Sequence, residues 1–305
     1  MTAEAPFRKQ SIRAYLEKKR ADSVPVTAMT AYNAPTGRLL QEAGIDWILV
    51  GDSCGNNELG YQSTLPVSMD EMIMLASAVR RGVSAGARGS KTEETYIIGD
   101  LPLGTYQESD ADAVRNSIRF IKEAGMDAVK CEGGVRMASR VRAISQAGIA
   151  VMGHIGYTPQ STDMKSIVQA KDLGGFEKLL LDAEALRDAG AFSILLEAVP
   201  AAASSALTKH LGIPIYGVAG VSQVDGVLAI ANDALGLFPL KAYFVRKFSD
   251  VEGATREGIK KYIKAVKGGD YPNPDETYPT NRDPVKAQEI ASAIASFIES
   301  RYPKN

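Results

Sequence analysis

The feature that most constrains this chain is a short apolar run followed by a polar residue, repeated five times. Trp47–Val50, for example, runs through Gly51 into Asp52. Runs of four or five apolar residues are typical of strands buried on both faces, as in a parallel sheet. The polar residues that follow the five runs are Asp52, Asp100, Glu132, His154 and Glu197.

Three further runs, at residues 25–30, 214–217 and 227–231, raise the number of predicted strands to eight, and segments with helical spacing alternate with them. This alternation is typical of an α/β (β/α)8 barrel, the TIM barrel, in which the carboxyl ends of the strands form one rim. Active sites of such barrels lie at that rim. We therefore predict an enzyme whose chemistry is carried by the five polar residues.

A barrel takes roughly 250 residues, so the chain of 305 residues has room for one barrel and an extension. We predict the barrel in residues 1–250, with an N-terminal helix at residues 11–20 that closes its lower end. Residues 251–305 are predicted to form a C-terminal helical extension packed on the barrel. The glycine-rich stretch at residues 82–92 is predicted to be a surface loop.

Charge and composition exclude several classes of function. The net charge of −1 gives no reason to expect nucleic acid or an anionic membrane as partner. No apolar run approaches the roughly 20 residues of a membrane span, and the first ten residues lack the apolar core of a secretory signal. Cys54 and Cys131 have no metal-ligand spacing. We therefore expect a cytoplasmic protein without disulfides.

Three of the polar residues, Asp52, Asp100 and Glu132, end consecutive predicted strands, which lie about 4.8 Å apart in a sheet. Carboxylates that close together bind protons unless a cation lies between them. Oxygen ligands favour a hard ion such as Mg²⁺. A metal site is one interpretation of these acids, and helix caps or salt bridges with Lys or Arg are the other.

The neighbouring residues suggest acid–base chemistry. Glu197 lies between apolar residues, which favours a general base, although a solvated strand-end glutamate is the alternative. Lys130 lies two residues before Glu132, so both side chains point to the same side of the strand. Lys130 would hold an anionic substrate or an enolate, or form a salt bridge with an acid. His154 has either a direct role in the chemistry or a structural role. Cys131 is expected in the core rather than as a nucleophile.

Longer segments around these residues resemble the ketopantoate hydroxymethyltransferase family, whose members are also called 3-methyl-2-oxobutanoate hydroxymethyltransferases. The resemblance extends over about residues 11–248, in the same order and spacing. The matching segments are residues 27–32, 49–53, 63–67, 100–102, 128–134, 151–160 and 196–200.

The resemblance implies a (β/α)8 enzyme of pantothenate synthesis. Such an enzyme would transfer a hydroxymethyl group to the enolate of a 2-oxo acid, 3-methyl-2-oxobutanoate, and form 2-dehydropantoate. It would use Mg²⁺ or another divalent cation, with 5,10-methylenetetrahydrofolate or formaldehyde as one-carbon donor. The resemblance also implies a homo-oligomer, commonly a decamer.

Carried over position by position, the resemblance implies that Asp52, Asp100 and Glu132 form the metal shell, with Asp100 and Glu132 acting through water. Glu197 would remove the proton from the carbon beside the ketone, and Ser53 and Lys130 would bind the 2-oxo acid. The residues expected to contact the substrate are Asp52, Ser53, Asp100, Lys130 and His154.

The chain departs from the family's pattern at Asn33, Leu75 and Asn232, where the family has Asp, His and His, and at residues 219–221 and 164–170. These departures concern the one-carbon donor and the choice of oxo acid.

Two other functions fit the sequence. One is an aldolase or lyase of the phosphoenolpyruvate mutase–isocitrate lyase type acting on another 2-oxo acid, since one fold hosts several chemistries. The other is a non-catalytic duplicated copy, against which the retained acids argue.

Overall fold

The computed structural model of the chain describes residues 10–88, 94–161, 168–237, 242–278 and 282–302. Eight parallel strands within these residues pair in chain order, and the last pairs with the first to close a barrel. This confirms the predicted (β/α)8 barrel. The strands are β1 (Val26–Thr30), β2 (Trp47–Val50), β3 (Tyr96–Asp100), β4 (Ala128–Glu132), β5 (Val151–Gly156), β6 (Ser193–Glu197), β7 (Ile215–Val218) and β8 (Gly226–Ala229).

Helices connect the strands from β1 to β7, whereas a short segment without a helix joins β7 to β8. Side chains fix several helix starts, as at Ser68, whose hydroxyl accepts the Glu71 N–H while the Glu71 carboxylate accepts the Ser68 N–H. The helices in the described residues are α1 (Ile12–Ala21), α2 (Ala34–Ala43), α3 (Cys54–Asn57), α4 (Met69–Ala87), α5 (Asp110–Glu123), α6 (Ala138–Gln146), α7 (Leu173–Asp188), α8 (Ala201–His210), α9 (Ala231–Ala234), α10 (Val251–Lys267) and α11 (Pro284–Arg301).

The predicted loop at residues 82–92 is wrong over its first part, because α4 continues to Ala87. The two glycines there lie where α4 crosses α2. A Cβ atom on Gly82 would lie 2.1 Å from the carbonyl oxygen of Ala34, and one on Gly86 would lie 2.8 Å from that of Arg38. These glycines therefore permit a close approach of two helices rather than a loop. Residues 89–93 of the predicted loop lie outside the described part of the chain.

Side chains of each strand alternate between the barrel interior and the layer under the helices. On β4, Val129 and Cys131 are buried in the helix-facing layer, whereas Ala128 belongs to the interior cluster. Cys131 is therefore a core residue, as predicted. The same alternation turns Lys130 and Glu132 inward, and both are buried.

Aspartates fasten the lower end of the barrel, where the strands begin. Asp46, Asp127 and Asp225 each directly precede a strand and accept a backbone N–H of the strand before it, in each case at 2.8 Å. Each also pairs with a basic side chain, at 2.9, 2.7 and 3.3 Å respectively. Two of those basic residues lie on α1, whose apolar face is buried in the interior cluster. The N-terminal helix therefore closes the lower end, as predicted. The contacts are those of Asp46 with the Thr27 N–H and Lys19, of Asp127 with the Ile97 N–H and Arg80, and of Asp225 with the Ile215 N–H and Arg20.

The chain divides into two compact units, residues 1–248 and residues 249–305. The first unit contains the barrel. The second contains α10 and α11, which have no buried residue in the single chain. The predicted packing of this extension on the barrel stays a prediction. In the described ranges, each helix is too short or too polar to cross a bilayer.

Candidate active site

A cavity of about 730 Å³ opens at the carboxyl ends of the strands. The register of the parallel strands explains its polar floor, because Asp100 lies beside Lys130 and Glu132 lies beside His154 in the sheet. Every site residue proposed from the sequence lines this one cavity. These residues are Asp52, Ser53, Asp100, Lys130, Glu132, His154 and Glu197.

Asp100 and Lys130 form a buried ion pair in the floor of the cavity. The Lys130 Nζ lies 2.7 Å from Asp100 Oδ1, and both side chains are at most 3% exposed. The Asp52 N–H donates to Asp100 Oδ2 at 3.1 Å. Burial raises the pKa of Asp100 to about 7, and Lys130 only partly offsets that effect. Burial by itself lowers the pKa of Lys130, but Asp100, Asp52 and Glu132 together raise it, so the ammonium stays charged.

His154 lies between two carboxylates and contacts Lys130, whose Nζ is 3.3 Å from His154 Nδ1. Its Nδ1 is 3.4 Å from Glu132 Oε2, and its Nε2 is 3.3 Å from Glu197 Oε2. Burial and the charge of Lys130 lower the pKa of His154, but the two carboxylates outweigh them and raise it to about 9. The side chain of Glu197 is 21% exposed, against 2% for Glu132. Glu197 is therefore the carboxylate of this group that an incoming substrate reaches.

The hydroxyl of Ser53 is held by a buried tyrosine. Tyr32 Oη lies 2.9 Å from Ser53 Oγ, and burial raises the pKa of Tyr32 above its ordinary value. The phenol therefore stays protonated and keeps Ser53 oriented at the edge of the cavity. Tyr32 falls within the segment at residues 27–32 on which the resemblance rests, although residue spacing alone assigned it no role.

Two other buried residues of the site were missed by sequence reasoning. Gln160 donates from its amide to Asp52 Oδ2 at 2.9 Å, and its backbone N–H donates to Glu132 Oε1 at 2.7 Å. Asp233 lines the cavity, is 8% exposed and has an Oδ1 atom without a hydrogen-bond partner among the residues that the structure describes. Gln160 and Asp233 follow strand ends by several residues, so the rule that places polar residues at strand tips does not find them.

The donor set is compatible with a hard cation, although it does not form a ready cluster. Across the described ranges, no three His, Cys, Asp or Glu side chains lie close enough to hold a metal ion together. Gln160 lies between Asp52 and Glu132, and Lys130 contacts Asp100. The backbone N–H of Asp52 nevertheless contacts the Asp100 carboxylate at 3.1 Å, and the five acids that line the cavity exceed its three basic side chains. Such an excess of buried negative charge favours binding of a divalent cation.

The sequence profile of the ketopantoate hydroxymethyltransferases matches residues 10–274. The chain belongs to this family. It is 42% identical over 274 residues to the 3-methyl-2-oxobutanoate hydroxymethyltransferase of Alkaliphilus metalliredigens, covering 89% of this chain and 93% of the relative. It is 39% identical over 275 residues to the enzyme of the same name from Shouchella clausii, covering 89% and 95%.

Solved structures of other enzymes share the fold of this family member. A 2,3-dimethylmalate lyase of the PEP mutase/isocitrate lyase superfamily superposes with a TM-score of 0.57 at 15% identity, covering 96% of this chain and 99% of that one. A phosphonopyruvate hydrolase in complex with oxalate and Mg²⁺ superposes with a TM-score of 0.55 at 15% identity, covering 97% and 100%. At this identity, the likeness concerns the fold alone.

Most departures from the family's pattern lie away from the cavity lining. Asn33 caps α2 by accepting the Thr36 N–H at 3.0 Å, and Leu75 packs against the core between strands and helices. Asn232 donates to the carbonyl of Asn57 at 2.9 Å. Residues 219–221 do line the cavity, and residues 164–167 lie outside the described part of the chain. Asn33 therefore caps a helix and Leu75 packs in the core, and neither lines the cavity.

Proposed function

We propose that this protein transfers a hydroxymethyl group to the enolate of 3-methyl-2-oxobutanoate and forms 2-dehydropantoate in pantothenate synthesis. The observation that carries the proposal is the arrangement of the cavity floor. An accessible carboxylate, Glu197, contacts His154, and His154 contacts Lys130 of the buried Lys130–Asp100 pair. Asp52 in turn contacts Asp100 through its backbone N–H. Family membership and relatives that are about 40% identical support the same reaction.

Each residue has a role in this reaction. The Lys130 ammonium and the Ser53 hydroxyl would bind the oxygens of the 2-oxo acid. Glu197 would take the proton from the carbon beside the ketone, and His154 would orient the Glu197 carboxylate. Lys130 would then balance the negative charge that develops on the enolate oxygen. General-base assistance of this kind contributes roughly 10²–10⁴-fold in rate.

Asp52 and Asp100, together with Glu132, would hold a divalent cation. When bound there, it would supply Lewis-acid polarisation of the ketone. The enolate carbon forms the new C–C bond with a one-carbon unit at the oxidation level of formaldehyde. If 5,10-methylenetetrahydrofolate is the donor, tetrahydrofolate leaves and water supplies the hydroxyl oxygen. The cavity walls that would face the donor are apolar, and include Val218, Leu228 and Phe244.

The proposal is tested by incubating the purified protein with 3-methyl-2-oxobutanoate, Mg²⁺ and either formaldehyde alone or formaldehyde with tetrahydrofolate. Mass spectrometry should detect 2-dehydropantoate, and its yield with and without tetrahydrofolate identifies the donor. The Glu197→Gln variant is the matched control, because it keeps the size of the side chain but cannot accept the proton. A protein that forms no product with either donor, yet cleaves another 2-oxo acid, would instead be a lyase.

We also propose that the protein is a homo-oligomer. Apolar side chains that are exposed in the single chain support this proposal. On α10, Ile259, Ile263 and Val266 recur at helical spacing, and on α11 Ile294 and Phe297 do the same. Contiguous apolar surface of this kind marks interaction sites. Light scattering after size exclusion should give a mass several times that of one chain, and a monomeric mass would contradict the proposal.

A further inference from the structure

The residue Gln160, which follows β5, joins two acids of the site through one buried side chain and its backbone. Its Nε2 donates to Asp52 Oδ2 at 2.9 Å and to the carbonyl oxygen of Leu101 at 3.0 Å. Its backbone N–H donates to Glu132 Oε1 at 2.7 Å. Because Gln160 is only 4% exposed, water does not readily replace these bonds. The loop after β5 therefore fixes the distance between the tips of β2 and β4.

The orientation of the Gln160 amide is determined by its neighbours. Its Oε1 accepts from the hydroxyl of Tyr106 at 2.7 Å and from Nε2 of Gln107 at 3.2 Å. If the amide were rotated by 180°, its NH₂ group would face these donors and its oxygen would face the Asp52 carboxylate. The Tyr106 hydroxyl in turn accepts the Glu132 N–H at 3.1 Å. The NH₂ group of the Gln160 side chain therefore faces Asp52.

Arg140 on α6 holds the loop that carries Tyr106. The guanidinium of Arg140 on α6 donates to the backbone carbonyls of Tyr106 at 3.0 Å, Gln107 at 3.0 Å and Glu108 at 3.3 Å. One planar side chain thus fixes three successive peptides of the loop after β3. The resulting chain of contacts runs from Arg140 through Tyr106 and Gln160 to Asp52.

We propose that Gln160 is a positioning residue that holds the Asp52 carboxylate in the orientation that binds a divalent cation. This inference rests on the proposed function, in which Asp52 and Asp100 bind the cation. Asp52 lies beside Asp100, and the two carboxylates repel each other unless hydrogen bonds or a cation hold them. Without Gln160, the Oδ2 atom of Asp52 loses its amide donor and the side chain is free to rotate. Loss of such supporting hydrogen bonds typically weakens metal binding roughly 10–100-fold.

The test compares divalent-cation binding by the metal-free full-length protein and its variants, using calorimetric titration with Mg²⁺ or Mn²⁺. Gln160→Met removes both the donor and the acceptor at nearly the same volume. Tyr106→Phe keeps the Gln160 side chain but removes the hydroxyl that orients it and that also accepts the Glu132 N–H. This variant remains informative if Gln160→Met does not fold. Tyr96→Phe is the matched control, because its hydroxyl donates to the Gln10 carbonyl at 2.9 Å and Tyr96 begins β3 at the end opposite Asp100.

We expect the Kd for the cation to rise roughly 10–100-fold in Gln160→Met and by a smaller factor in Tyr106→Phe, with Tyr96→Phe within twofold of the parent. A purely structural role for Gln160 would instead lower Tm without changing Kd. Equal Kd values in the parent, Gln160→Met and Tyr106→Phe would overturn the positioning role and leave the proposed reaction intact. A parent that binds no divalent cation would overturn both the cation site and the positioning role.

Discussion

Gly156→Ala tests whether the geometry of β5 and β6 sets the position of the proposed base. Gly156 ends β5 directly beside Glu197 in the sheet, and the next N–H, of Tyr157, donates to the Glu197 carbonyl at 2.8 Å. Gly156 has a φ of +96°, in the region that favours glycine. A Cβ atom there would lie 2.3 Å from the backbone oxygen of Glu197 and 3.1 Å from its nitrogen.

Two costs add in this variant. The positive φ costs an alanine about 1–2 kcal/mol, and forcing a methyl group into a packed site costs about 1–3 kcal/mol. We therefore expect the free energy of unfolding to fall by about 2–5 kcal/mol, the sum of these two ranges. Because the atom that must move is the backbone of Glu197, its carboxylate should move too. A misplacement of about 1 Å costs on the order of 10²-fold in rate.

The assay is exchange of the hydrogen beside the ketone of 3-methyl-2-oxobutanoate with deuterated water, followed by NMR, together with urea unfolding. Gly44→Ala is the matched control, because Gly44 has a φ of +78° and, apart from its chain neighbours, no atom of the described residues lies within 4 Å of its added Cβ. That variant should lose only the 1–2 kcal/mol of backbone strain and should exchange at the parent's rate. If Gly156→Ala behaves like Gly44→Ala in both measurements, the contact with Glu197 does not position the base.

Three further substitutions test separate parts of the reasoning. Glu197→Gln should still bind the 2-oxo acid but lose roughly 10²–10⁴-fold in hydrogen exchange by NMR, and exchange at the parent's rate would make His154 the next candidate for the base. Asp100→Ala should abolish divalent-cation-dependent turnover while circular dichroism stays unchanged, and full activity would refute its place in the cation site. Gly82→Ala should lower the free energy of unfolding in urea by about 1–3 kcal/mol, because its Cβ would lie 2.1 Å from the Ala34 oxygen; an unchanged stability would argue against the close helix crossing.

The barrel and its floor were predictable because both follow from local sequence. Each apolar run predicts one strand, and the residue after it must lie at the rim of a parallel barrel. Asp100 and Lys130 belong to different strands, and their nearness was expected from adjacent strand order, whereas the register shows which acid Lys130 meets. The N-terminal helix that closes the lower end was predictable for the same reason, because the spacing of its apolar residues shows its apolar face.

Residues held by loops could not be predicted in the same way. The contact between Gln160 and Asp52 joins positions 108 residues apart, and it depends on how the loops after β3 and β5 fold against each other. Glycine was ambiguous for a different reason. A lack of side chain permits a turn or a close approach of two helices, and the sequence around Gly82 does not distinguish these uses. The structure resolves the ambiguity by placing Ala34 against it.

The three aspartates at the lower end have a consequence for how inactive variants arise. A strand that slips by one residue exchanges its inward and outward side chains, which would turn Lys130 and Glu132 out of the cavity. Asp127 sets the start of β4 against β3 by holding the Ile97 N–H, roughly 16 Å below the rim at about 3.3 Å per residue. Random mutagenesis scored for lost activity should therefore recover substitutions of Asp127 alongside those of the acids. Such variants would keep the fold outside β4 and yet be inactive, because the misalignment begins at the end of the strand opposite the active site.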